Sequence, residues 1–123
     1  MTTLNEILKK EPTLTPFGIE GPGTYKSDNP GFGPDDISQI EDCITWLKYK
    51  PHTKRINNDI SSYGLKHQVE SDMGCYVSNG AFIAAVIHLQ IPYKRIPQSP
   101  NILIAIKRKN PEREFLNKIK ADH

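Results

Sequence analysis

The chain has 123 residues, of which 37% are hydrophobic and 24% charged, and its formal net charge at neutral pH is +2. This is enough apolar material for one modest core, and the balance is that of a globular chain rather than a disordered one. No apolar run approaches the roughly 20 residues of a membrane span, and the opening MTTLNEILKKEP lacks the basic start, apolar stretch and small-residue cleavage site of a signal peptide. A cytoplasmic protein with no membrane partner is therefore expected. Cys43 and Cys75 make no disulfide framework and read as free thiols.

Residues 3–10, TLNEILKK, suit a short helix. Thr3 is a cap, Glu6 lies three places on as in a capping box, and Leu4, Ile7 and Leu8 share a face. Residues 11–34 hold five prolines and five glycines, which argues against regular structure. Phe17, Ile19, Tyr25 and Phe32 nevertheless predict partial docking of this arm. Residues 35–50 read as the clearest helix. Asp35 and Asp36 suit its positive end, and Ile37, Ile40, Cys43, Ile44 and Leu47 recur at helical spacing. Trp46 falls off that stripe and is expected to cover an edge of the core.

A further helix is predicted over 61–72, with Leu65 and Val69 buried and Gly74 as its left-handed stop. Gly64 in its first turn is a local weakness, or a point of close approach. Ser78 then caps another helix, with Val77 and Phe82 spaced as a hydrophobic staple. After Pro92 the period changes. YKRI and ILIAI read as strands joined by QSPN turn chemistry, and residues 111–120 as a last amphipathic helix. The expected fold is α+β and mainly helical: a three-helix core, a C-terminal β-hairpin in winged-helix-like order, and a terminal helix. Residues 1–34 form a short helix and Pro/Gly-rich arm, and 35–123 one helical domain.

The charge is unevenly spread. Residues 91–123 carry eight Lys or Arg against three Asp or Glu, whereas residues 1–50 carry five against eight. The basic end suggests an anionic partner, with Lys94, Arg95, Lys107, Arg108 and Lys109 placed to contact phosphate; a solvated surface explains the same charges. A helix-turn-helix would present Asn79 at the start of its reading helix. The face of that helix opposite Phe82 and Val86 carries Gly80, Ala81, Ala84 and His88, however, and base edges call for Arg, Lys, Asn or Gln. A packed core pair is the stronger reading. Tyr63, Lys66 and His67 form a small polar patch suited to phosphate or an acidic protein surface, or simply a solvated helix face.

Other chemistry has little support. The four histidines and two cysteines lack the short paired spacings of zinc sites, so neither metal nor cofactor is expected. Cys75, His67 and Asp72 have the right types for a nucleophilic set but are too close in sequence to converge easily. The glycines of GIEGPG and NPGFG do not follow a strand, as a phosphate cradle requires.

SSYGLKH, Glu70, YVSNGAFIAA and the later SPN resemble a group of small uncharacterised proteins of bacterial mobile elements and phages, over roughly residues 53–106. The resemblance implies a prokaryotic or phage setting and carries no catalytic residue. The expected function is a small non-enzymatic binding protein, either a regulator bound to DNA or RNA or an accessory inhibitor of a host protein complex. The small-residue helix face and the arm motivate the second. The oligomeric state is open.

Overall fold

A computed structural model describes residues 4–20, 31–50 and 53–107. Tyr25, His52, Arg108, Lys109, His123 and the helix expected over 111–120 lie outside the described residues. The architecture is α+β and mainly helical. Its elements run α1 (Leu4–Lys10), β1 (Leu14–Thr15), β2 (Gly18–Ile19), α2 (Pro34–Lys48), α3 (Ser62–Met73), α4 (Asn79–His88), β3 (Tyr93–Arg95) and β4 (Ile102–Ile104).

Helix α4 is the axis of the core. Every residue from Asn79 to Ile87 is buried, and α1, α2, α3, β1 and β2 all pack on it. Its start follows the sequence signal: the Ala81 N–H donates to Ser78 Oγ at 3.0 Å, and the staple residues Val77 and Phe82 are fully enclosed. A helix apolar on all sides must be covered on all sides. The small-residue face is covered by the protein's own arm. The Gly80 N–H donates to the Pro16 carbonyl at 2.9 Å, and a Cβ at position 80 would overlap the Thr15 carbonyl. Only glycine permits that approach.

The arm docks as expected at Ile19, which is buried in the core, and at Phe32, which packs against it; its local structure departs from expectation. Within residues 11–20 proline and glycine leave room for regular structure: β1 and β2 pair antiparallel, Leu14 with Ile19 and Thr15 with Gly18. Leu14 and Ile19 then enter the common core, because the pair turns both side chains toward α4. Phe17, at the turn between them, stays 51% exposed.

Helix α2 begins with Pro34, and the Asp36 carboxylate accepts from the Gly33 N–H. Ile40, Cys43 and Leu47 are buried as the spacing requires, but Ile37 is 40% exposed and Trp46 only 4%. The buried stripe is thus rotated toward Trp46. Tertiary contacts account for it: Trp46 meets Phe82 edge to face at 6.2 Å, and its Nε1–H donates to Asp72 Oδ2 at 2.7 Å. The bond to the Trp46 indole, helped by Lys50, holds the Asp72 carboxyl below its ordinary pKa.

Helix α3 packs Leu65 and Val69 inward and stops at Gly74, whose φ of 70° is left-handed. The space above Gly64 is taken by the Ile60 side chain rather than by a backbone. The hairpin pairs Tyr93 with Ile104, Lys94 with Leu103 and Arg95 with Ile102. The other edge of β4 is occupied: the Asn57 N–H donates to the Ile104 carbonyl at 2.9 Å. Ser62 ties the hairpin to α3 by accepting from the Ile102 N–H at 3.1 Å.

Candidate ligand cleft

Three stretches far apart in sequence meet around one cleft of about 460 Å³. The β1–β2 turn supplies Pro16 and Phe17, α3 supplies Tyr63 and Lys66, and the α3–α4 connection supplies Tyr76. Asn79 comes from the start of α4, and Pro100 and Asn101 from the β3–β4 turn. The volume suits a small organic group.

Lys66 is the centre of its charge. The residue is only 6% exposed, which corrects the reading of it as part of a solvated face. Its Nζ lies 4.9 Å from the ring centre of Tyr76 and 5.4 Å from that of Tyr63, so two electron-rich ring faces hold the ammonium. Glu70, one helical turn on, places both carboxylate oxygens 3.4 Å from Nζ. His67 Nδ1 is 2.9 Å from Glu70 Oε1. Partial burial pushes the Glu70 carboxyl upward, but Lys66, the Val77 N–H and His67 outweigh it and leave the group below its ordinary pKa. His67 itself is exposed, with its ring edge to face against Tyr63 at 4.6 Å. Tyr63 and Tyr76 are 52% and 65% exposed, so their rings remain accessible while they hold Lys66.

Asn79 closes the floor. It is 94% buried, the complement of its 6% exposure, which corrects its reading as an outward reader of bases. Its Nδ2 donates to the Phe17 carbonyl and to Asn101 Oδ1, each at 2.9 Å, and its Oδ1 is enclosed with no partner among the described residues. One carboxamide thus joins the arm, α4 and the hairpin. The arm and hairpin also meet directly, through the Ile19 N–H donating to the Pro100 carbonyl at 2.9 Å.

Lys94, Arg95 and Lys107 are exposed. Lys94 and Arg95 lie on β3, across from the strand that leads out of Pro100 and Asn101. With Arg108 and Lys109 outside the described residues, the expected basic cluster is represented by these three. Cys75, His67 and Asp72 do not converge. The Cys75 thiol points to Asp42 Oδ2 at 3.4 Å, His67 to Glu70 and Asp72 to Trp46. Burial, then the bond to Asp42, raises the Cys75 thiol pKa, which disfavours a thiolate. Among the described residues no group of three or more His, Cys, Asp or Glu is placed to hold a metal ion, and no helix is long and apolar enough to cross a membrane.

No family model, curated protein or solved structure matches this chain. The site is therefore read from its own chemistry. Sequence reasoning named Tyr63, Lys66 and Asn79, but it missed Phe17, Tyr76, Pro100 and Asn101 as a set. A usable signal was present for two of them: Phe17 sits between proline and glycine, and Tyr76 lies just outside the staple, where neither has a core to enter.

Proposed function

We propose that this chain is a small non-enzymatic binding protein that associates with single-stranded nucleic acid through this cleft. The observation that carries the reading is the pair of exposed tyrosines, Tyr63 and Tyr76, flanking the Lys66 ammonium at a cleft furnished with carboxamides. Aromatic faces stack bases whatever their sequence, and neighbouring cations track the phosphate backbone. Lys94 and Arg95 supply exposed cations on the hairpin whose turn forms one wall. A double helix is less suited: α4, the helix expected to read bases, is buried along its length and offers no face to the major groove.

The alternative of a host-protein inhibitor loses its main support, because the small-residue face at Gly80 is already occupied by the arm. A bacterial mobile-element or phage setting, implied by the resemblance, belongs to the proposal. Fluorescence anisotropy with a labelled single strand of about 15 nucleotides tests it. Binding that weakens as salt rises, and falls about tenfold in Tyr76→Ala, is expected. Absence of binding at low salt would overturn it.

A further inference from the structure

Among the described residues six large apolar or aromatic residues are exposed, and three of them, Phe17, Tyr63 and Tyr76, line this one cleft. Single exposed apolar residues are ordinary, but three gathered at a concave site call for a reason. Tyr63 and Tyr76 have a second task, holding Lys66 between their rings. Phe17 comes from the arm, at the turn between β1 and β2.

The backbone of that turn is closely fixed. The Phe17 N–H donates to Thr15 Oγ1 at 3.2 Å, and its carbonyl accepts from Asn79 Nδ2 at 2.9 Å. On one side the Pro16 carbonyl accepts from the Gly80 N–H at 2.9 Å. On the other, Gly18 has a φ of 130°, and a Cβ there would overlap the Pro100 carbonyl and Asn79 Nδ2. The turn is thus held against both α4 and the β3–β4 turn. Phe17 is nevertheless 51% exposed. Both its backbone polar groups are bonded within the protein, so much of that open area belongs to the ring. The fold forgoes much of what burying a phenylalanine gives, while fixing the backbone that carries it.

We propose that Phe17 is a base-stacking residue, supplied by the arm, and that a bound single strand covers its ring. The inference rests on the nucleic-acid reading above and adds a third aromatic surface to Tyr63 and Tyr76. Lys66 in the cleft and the exposed Lys94 and Arg95 on the hairpin match a polyanion whose units carry flat rings better than an apolar peptide. Stacking uses a ring face and not apolar area alone, so leucine cannot replace phenylalanine here. The docked arm is then part of the site.

Anisotropy titrations with the same labelled single strand test Phe17→Ala, Phe17→Leu and Phe17→Trp. Phe17→Ala is expected to bind about tenfold more weakly, Phe17→Leu nearly as weakly, and Phe17→Trp about as tightly as wild type. Phe17→Trp also reports contact directly. Its added indole fluorescence should be quenched as a base stacks on it, whereas Trp46, only 4% exposed, should leave the wild-type signal nearly unchanged. That readout decides the matter even if Phe17→Ala folds poorly. Wild-type affinity in Phe17→Ala or Phe17→Leu, or an unquenched Phe17→Trp bound to the strand, overturns the inference. The nucleic-acid reading then stands as long as Tyr76→Ala still weakens binding. A wild-type protein that binds no strand overturns both.

Discussion

In α4 every residue from Asn79 to Ile87 is buried, whereas in α3 only Ser62, Leu65, Lys66 and Val69 are. The two helices are neighbours in the chain and pack on each other, yet they divide the work of the molecule. Helix α4 has no outward face, so a change there acts on packing. Helix α3 spends one face on the core and uses Tyr63, Lys66, His67 and Glu70 to furnish the cleft and its edge. The winged-helix-like order of elements suggests that the last core helix should read a ligand. The structure gives the cleft's aromatic wall to the helix before it and to the connection between them.

That division can be broken or sharpened by substitution. Phe82→Ala, at the centre of α4 and against Trp46, is expected to cost about 4 kcal/mol, measured by urea unfolding with the fluorescence of the single tryptophan as probe. Gly80→Ala forces a methyl group into the Thr15 carbonyl, and a loss of about 3 kcal/mol is expected by the same measurement. A neutral result would show that the arm does not rest on α4 in solution.

Asp72→Ala strands the buried Trp46 N–H and is expected to cost about 1–2 kcal/mol in the same urea titration. A smaller change belongs to Glu70. Its folded-state pKa is lowered from 4.5, so its contribution is complete above that value and is lost as pH falls through the folded pKa. Stability measured between about pH 5 and pH 3 should decline less steeply in Glu70→Gln than in wild type. Least of all, Tyr76→Ala should leave stability within about 0.5 kcal/mol, because the ring is exposed. Its loss of oligonucleotide affinity would then separate the cleft from the core. If Tyr76→Ala unfolds the protein as Phe82→Ala does, the contrast between the two regions fails.

The helices and the hairpin were legible in sequence for local reasons. Ile40, Cys43 and Leu47 repeat at helical spacing, Ser78 and Gly74 mark helix ends, and Ile102, Leu103 and Ile104 form an apolar, strand-length run after turn residues. Trp46 was misplaced because a helical wheel shows which residues share a face and not which partner that face meets. Phe82 and Asp72 decide that, and both lie beyond α2. Strands β1 and β2 were missed because two-residue strands carry too short a pattern to stand against the prolines beside them.

By itself, the sequence determined the order and kind of the main elements, the apolar character of α4 and the small-residue face that suits it to close packing. These follow from periodicity, capping and side-chain size, which act over a few residues. The tertiary structure alone decided that the covering piece is the protein's own arm, that Lys66 is enclosed by Tyr63 and Tyr76, and that Asn79 orients Asn101. Those outcomes depend on contacts between residues as far apart in sequence as Pro16 and Gly80. Hydrogen-bond polarity at such distances is set by which groups the fold brings together, and no local pattern encodes it.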